Sequence, residues 1–200
     1  TKDAVRTDVS DSLGGELVDG LALRDSFMIY AKQAVFRMDY TGGAFVYRFS
    51  KVLGASGVLN KNCIVEIPGG YHCVFGADDV YVHDGTSPLS ILDKQTRRFL
   101  FASLDVDYAH RAFIFKNPWL NSVYICYPSA GNTTCNRALV YNYIDKTCGF
   151  QELPSLLHAM NGAMDSSLSQ QIDADDLPID SDDSAIDASD FTPDISRVMM

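Results

Sequence analysis

Ala34-Val35-Phe36-Arg37-Met38-Asp39-Tyr40, Asp79-Val80-Tyr81-Val82-His83-Asp84-Gly85 and Ser122-Val123-Tyr124-Ile125-Cys126-Tyr127-Pro128 are three versions of one short alternating strand. Val35 and Val80 stand 45 positions apart, and Val80 and Val123 stand 43 apart. That is the spacing at which one four-stranded blade of a β-propeller is written again. The expectation is a mainly β fold of antiparallel meander blades, a partial propeller. Arrays of this kind serve as scaffolds and docking surfaces, which turns the functional reading away from catalysis.

Further strand signals surround these three. Ser26 to Tyr30 pairs with Ala34 to Met38 through Ala31-Lys32-Gln33, and Ala44 to Phe49 follows the Thr41-Gly42-Gly43 turn. Lys51 to Asn62 is rich in glycine and small residues and reads as the loop between blades. A second unit runs from Cys63 to Ile67, Tyr71 to Phe75 and Asp79 to His83, with turns at Pro68-Gly69-Gly70, Gly76-Ala77-Asp78 and Asp84-Gly85-Thr86. Between Leu92 and Asp105 the period changes. Leu92, Phe99, Leu100 and Ser103 on one side and Lys94, Arg97 and Arg98 on the other predict a short inserted amphipathic helix with Asp93 as its N-cap. Strands resume at Arg111 to Phe115, Ser122 to Tyr127, Arg137 to Tyr143 and Cys148 to Leu153, with a last hairpin turn over Asn142 to Thr147.

The domain reading is therefore a connecting segment over 1–20, a blade region over 21–154, a short helix over 155–164 and an acidic flexible arm over 165–200. The formal charge of −10 is concentrated in that arm, which holds ten Asp against the single Arg197, so the body over 1–164 is close to neutral. Such a body has no basic stripe to grip nucleic acid by counterion release. The arm has the composition of a segment that buries too little to fold alone. Thr1 opens the chain without an initiator Met or a secretory signal, so the chain is expected to be part of a longer protein. No stretch is apolar enough to span a membrane. Five cysteines without a CxxC pair (Cys63, Cys73, Cys126, Cys135, Cys148) read as reduced, mostly buried thiols of an intracellularly assembled protein. Cys63 and Cys73 could face each other across a hairpin, an arrangement that spacing alone leaves open.

Tyr47-Arg48 leading into Gly54-Ala55-Ser56-Gly57, the run from Gly70 to Gly85 (Gly-Tyr-His-Cys-Val-Phe-Gly-Ala-Asp-Asp-Val-Tyr-Val-His-Asp-Gly), Asp107-Tyr108-Ala109-His110-Arg111 and Cys135 to Tyr143 carry a resemblance. Over about 21–154 the chain resembles the tail nozzle, or tail tubular B-type, proteins of short-tailed double-stranded DNA bacteriophages, also called packaged-DNA stabilisation proteins. The resemblance implies a propeller-bearing subunit, six copies around a channel, attached below the portal and head-to-tail adaptor. Members of that family are several times longer than this chain. Three repeats do not close a propeller, so the rest of the ring is expected from sequence outside the 200 residues.

Several residues are of types that carry chemistry elsewhere. His72 with Cys73, His83 and Asp84 offers metal-binding types on adjacent strands, but the paired close spacing of a zinc site is missing and alternation sends His72 and Cys73 to opposite faces. Asp78-Asp79 reads as Asx-type turn bonding and not as an acid–base pair. Asp173-x-Asp175-Asp176 and Asp180-x-Asp182-Asp183 lack the glycine and closing Glu of an EF-hand loop. Gly54-Ala55-Ser56-Gly57 is followed by no Lys-Ser/Thr, so it is not a phosphate cradle. The four histidines, His72, His83, His110 and His158, form no triad signature, and there is no Gly-x-Ser-x-Gly elbow. Phe36, Tyr81 and Tyr124 recur in one repeat position and read as packing between blades.

The resulting expectation has no catalytic residue, cofactor or metal. It is a non-enzymatic structural component of a phage tail, located in the virion and assembled in the host cytoplasm. Such a nozzle would extend the portal channel, hold packaged DNA and conduct it during ejection without sequence-specific binding. Its partners would be other copies in a hexameric ring, together with adaptor, portal and other tail proteins. The alternative is a β-propeller module that recognises a protein or glycan, and a weaker one is a propeller hydrolase acting through His72 or Asp79.

Overall fold

A computed structural model of the chain describes residues 14–42, 46–163 and 196–199. It divides into a unit ending at His158 and a second beginning at Ala159. The first unit holds three four-stranded antiparallel sheets, each a meander in sequence order. Sheet 1 is β1 (Leu17–Leu23), β2 (Ser26–Ala31), β3 (Ala34–Tyr40) and β4 (Tyr47–Gly54). Sheet 2 is β5 (Ile64–Ile67), β6 (Tyr71–Phe75), β7 (Val80–His83) and β8 (Pro88–Ser90). A helix, α1 (Lys94–Ser103), and a 3-10 turn (Ala109–Arg111) precede sheet 3, which is β9 (Phe113–Asn117), β10 (Ser122–Tyr127), β11 (Cys135–Asn142) and β12 (Thr147–Leu156).

The first strands of the sheets are neighbours in order, β1 beside β5 and β5 beside β9. Asn62, just ahead of β5 and held at φ 66°, joins all three. Its N–H donates to Asp19 Oδ2 of β1 at 3.3 Å, and its carbonyl accepts from the Ile114 N–H of β9 at 2.8 Å. Sheet 2 is the middle layer, and β6 and β7 are buried on both faces apart from Tyr71. One apolar core runs through the unit and includes Met28, Val35 and Leu53 from sheet 1, Val74, Phe75 and Val82 from sheet 2, and Ile114, Val123, Ile125 and Leu139 from sheet 3.

Most expected strands are present with boundaries within three residues, but β4 runs five residues past the expected Phe49 and takes up Lys51 to Gly54 of the stretch read as a loop between blades, and in the first unit two more strands appear. The segment 1–20 is not wholly a connection, because β1 starts at Leu17. Polar neighbours and a central glycine conceal this strand in the sequence. The Phe27 ring of β2 lies across Gly20, and a Cβ there would come within 2.6 Å of that ring and displace it. β8 was hidden by Pro88, a residue tolerated on an edge strand such as this one. The expected strand from Ala44 begins at Tyr47 among the described residues, and Gly43, Ala44 and Phe45 lie outside them.

The helix expected over 155–164 is a correction. β12 continues to Leu156, and Met160–Ala163 forms β13 of the second unit, paired antiparallel with β14 (Ser196–Met199). Leu153, Leu156 and Ala159 are buried at three-residue intervals, which imitates a helical face. Up to Leu156 the chain is extended and its register with β11 is irregular, with Cys135 facing Leu156 while Arg137 faces Glu152. The acidic arm expected over 165–200 lies outside the described residues except for β14.

The repeat that suggested the fold is also offset. Phe36 and Tyr81 lie on third strands, but Tyr124 lies on the second strand of sheet 3. The helix and β-turn insertion before β9 lengthens the third repeat, so equal spacing does not mean equal position. Accordingly only Tyr81 lies between two sheets. Phe36 packs with Ala31 and Ala34 outside the main core, and Tyr124 stacks on Phe115 with ring centroids 4.8 Å apart on the opposite face of sheet 3.

The passage from sheet 1 to sheet 2 is closely fitted. The Val58 N–H donates to the Ala31 carbonyl at 3.1 Å, and the Tyr81 hydroxyl donates to the Gly57 carbonyl at 3.1 Å. A Cβ on Gly57 would lie 2.2 Å from the Lys32 carbonyl oxygen and 2.5 Å from that of Ala31. Backbone atoms cannot yield as a side-chain tip does. Gly57→Ala is therefore expected to lower stability by about 3 kcal/mol or more. Gly149→Ala, with nothing within 4 Å, should be near neutral, and urea denaturation of both variants checks the contrast.

Candidate functional site

The most concentrated polar chemistry in the first unit is buried where sheets 1 and 2 meet. Tyr30 of β2, His72 of β6 and His83 of β7 have at most 1% of their surfaces exposed. His72 and His83 are directly paired across β6 and β7, so one sheet presents both imidazoles to the same spot. The Tyr30 hydroxyl lies 2.6 Å from His72 Nδ1 and 2.6 Å from His83 Nε2. At the outer ends, His72 Nε2 is 2.8 Å from the Ala22 carbonyl oxygen of β1, and the Gly85 N–H donates to His83 Nδ1 at 3.0 Å.

These end groups fix every proton. A backbone N–H can only donate, so His83 Nδ1 is the acceptor and His83 carries its proton on Nε2. His83 Nε2–H then donates to the Tyr30 oxygen. A carbonyl can only accept, so His72 carries its proton on Nε2, and its Nδ1 accepts from the Tyr30 O–H. The relay runs from Gly85 through His83, Tyr30 and His72 to Ala22 with all three side chains neutral and every ring nitrogen paired. Gly85 delivers its N–H from a backbone at φ 92°, a conformation that favours glycine.

Burial pushes both histidines toward the neutral form. It lowers His83 to about 4, with a further contribution from the neighbouring His72, and it lowers His72 as well. The same burial holds the Tyr30 hydroxyl well above its ordinary value. The cluster is sealed, so it offers no approach to a solute. The metal reading of His72, Cys73, His83 and Asp84 does not assemble. Cys73 belongs to the alternate face of β6, Asp84 bonds Thr86 in a turn, and the two inner imidazole nitrogens are taken by Tyr30. Among the described residues no group of three or more His, Cys, Asp or Glu is arranged to hold a metal ion.

Asp79 departs from the Asx-turn expectation. Its Oδ1 accepts from Ser90 Oγ at 2.9 Å and its Oδ2 pairs with Arg97 Nη2 of α1 at 2.9 Å, so it fastens the helix to sheet 2. Burial raises its carboxyl above the ordinary value against the pull of Ser90 and Arg97. Asp93 caps α1 as expected, accepting from the Thr96 N–H at 2.7 Å. The helix face is rotated from the predicted one, with Arg97 turned toward Asp79 and Phe99 nearly half exposed. Asp78 lines a cavity of about 330 Å³ with Lys94 and Arg98. His110 and His158 line a separate cavity of about 570 Å³ with Lys61 and Arg111.

The cysteines are thiols. Cys63 lies opposite Phe75, two places beyond the partner of Cys73, so the two do not face each other. Cys63 donates instead to Asn60 Oδ1 and the Ala112 carbonyl. Burial pushes both Cys63 and Cys73 up to about 12, which keeps them protonated and weakly nucleophilic. Sequence reasoning weighed His72 and His83 but missed Tyr30, because its partners lie 42 and 53 positions away. No protein-family model and no curated protein matches the chain.

Tyr30→Phe leaves an acceptor on His72 and a donor on His83 buried and unmatched. It is expected to cost roughly 2–5 kcal/mol, read as a fall in the urea midpoint. The relay also predicts a pH dependence. An unfolded chain protonates His83 near 6.5, whereas the folded chain resists protonation down to about 4. The unfolded state therefore binds more protons between those values, and stability falls as pH drops from 6.5 to 4, by on the order of 3 kcal/mol from this residue. Urea midpoints at several pH values should fall across that window, and His83→Gln should flatten the slope while lowering stability at pH 7.

Proposed function

We propose that the chain is a segment of the propeller-bearing subunit of a phage tail nozzle, a structural part that extends the portal channel, retains packaged DNA and conducts it at ejection. The observation that carries the reading is the arrangement of three consecutive four-stranded meanders with β1, β5 and β9 adjacent in order. Successive sheets whose first strands neighbour one another suit a radial array, and further blades from a longer chain would complete the ring. The resemblance noted in the sequence rests partly on the run Gly70–Gly85, which supplies β6, β7, both relay histidines and the Gly85 turn. Those residues have a packing role, which suits a component whose work is mechanical.

The near-neutral body and the Asp-rich remainder fit a wall past which DNA slides, because carboxylates repel phosphates. Such a subunit would work as a hexamer in the virion tail beneath the portal and adaptor. A propeller binding module is the second reading, and it is favoured by the cavity beside the ends of β5 and β9. Native mass spectrometry and negative-stain images of the complete protein separate the two. A six-fold ring is expected, and a lone monomeric disc would overturn the nozzle reading.

A further inference from the structure

We propose that the cavity at the starts of β5 and β9 is a binding site for phosphoryl anions, an inference that goes beyond the nozzle reading and does not rest on it. The cavity measures about 570 Å³ and is lined by Lys61, His110, Arg111, Phe113, Thr134 and His158, among others. That volume exceeds the needs of one tetrahedral oxyanion and suits a short polyphosphate or a nucleotide-sized group. Among the described residues, no carboxylate lines it.

The body over 1–164 is close to neutral, so this lining is a local concentration of basic side chains. Three basic side chains elsewhere meet carboxylates, Arg37 with Asp39 at 2.8 Å, Arg97 with Asp79 at 2.9 Å and Arg137 with Glu152 at 3.7 Å, while Arg24 and Lys32 donate to backbone carbonyls. Lys61 has no ion-pair or hydrogen-bond partner among the described residues. Arg111 is held in place without being neutralised. Its Nη1 donates to the Thr133 carbonyl at 2.6 Å, and its guanidinium lies 5.2 Å from the Tyr108 ring centroid. A guanidinium fixed in this way keeps further N–H donors for an oxyanion and loses little freedom on binding.

The remaining walls suit the same ligand. His158 rests beside the Phe113 ring, with centroids 5.2 Å apart, and neither of its ring nitrogens has a partner among the described residues. His110 is oriented by the contact of its Nδ1 with the Asp107 carbonyl at 3.1 Å. Thr134 adds a hydroxyl. A lysine, an arginine, two imidazoles and a hydroxyl around one cavity form a donor set that chloride or a carboxylate fills only in part.

The chemistry is shared by a free polyphosphate and by a nucleic-acid backbone, and two arms of one experiment distinguish them. The full chain is titrated calorimetrically with sodium tripolyphosphate at constant ionic strength. Saturable binding of one tripolyphosphate per chain is expected, weakened at least about tenfold by Lys61→Glu and further by Lys61→Glu with His158→Gln. Arg98→Glu, in the cavity that Asp78 and Lys94 also line, should change it by less than about twofold. Circular dichroism and urea midpoints confirm that each variant is folded. A short DNA duplex that displaces tripolyphosphate assigns the site to a nucleic-acid backbone, and failure to displace it assigns the site to a free polyphosphate. Absence of saturable binding, or equal losses from Lys61→Glu and Arg98→Glu, overturns the proposal.

Discussion

The first unit depends on the requirement that a sheet enclosed on both faces leave no polar group unmatched. Sheet 2 is such a sheet. Its β6 and β7 strands are almost wholly buried, and they carry two imidazoles into a region where an unpaired nitrogen would be expensive. Tyr30 resolves this from the neighbouring sheet. It accepts from one ring and donates to the other, while Ala22 and Gly85 terminate the relay with backbone groups. Because the terminal groups have fixed roles, the relay has a single proton arrangement. Hydrophobic alternation alone tolerates a two-residue slip between packed sheets, whereas this relay does not.

The same joint is fixed at the backbone level. Gly57 lies against Ala31 and Lys32 too closely for any side chain, and its carbonyl receives the Tyr81 hydroxyl. The chain therefore enters sheet 2 through a passage whose width is set by glycine. Asn62 then ties β1 and β9 to the start of β5. The cavity lined by Lys61, His110, Arg111 and His158 lies beside the starts of β5 and β9.

Much of the architecture was legible because it follows from local pattern. Alternating strands, glycine turns and the Asp93 cap are determined by residues a few positions apart, and so is the class of fold. What escaped depends on contacts distant in sequence. β1 is recognisable only once Phe27 is seen covering Gly20, and β8 only once its edge position excuses Pro88. The stretch after Pro154, expected to be helical, instead continues β12 to Leu156, held there by pairing with β11 that local sequence does not reveal. At the site, His72 and His83 stood out by residue type, but their partner was an ordinary strand tyrosine. The cavity residues Lys61, His110, Arg111 and His158 come from three separate connections, and no motif links them.

The two joints flanking sheet 2 are unlike. The joint with sheet 1 contains a directional chain of side-chain hydrogen bonds at its centre. The joint with sheet 3 is filled by aliphatic and aromatic groups such as Phe75, Val82, Ile114 and Ile125, and its hydrogen bonds gather at the margins, around Asn60, Cys63 and Cys148. An interdigitated apolar joint resists displacement through many small contacts, while a directional chain of hydrogen bonds is lost as a unit. The central sheet is therefore registered against its neighbours in two ways, by the direction of hydrogen bonds on the side of sheet 1 and by the fit of side chains on the side of sheet 3.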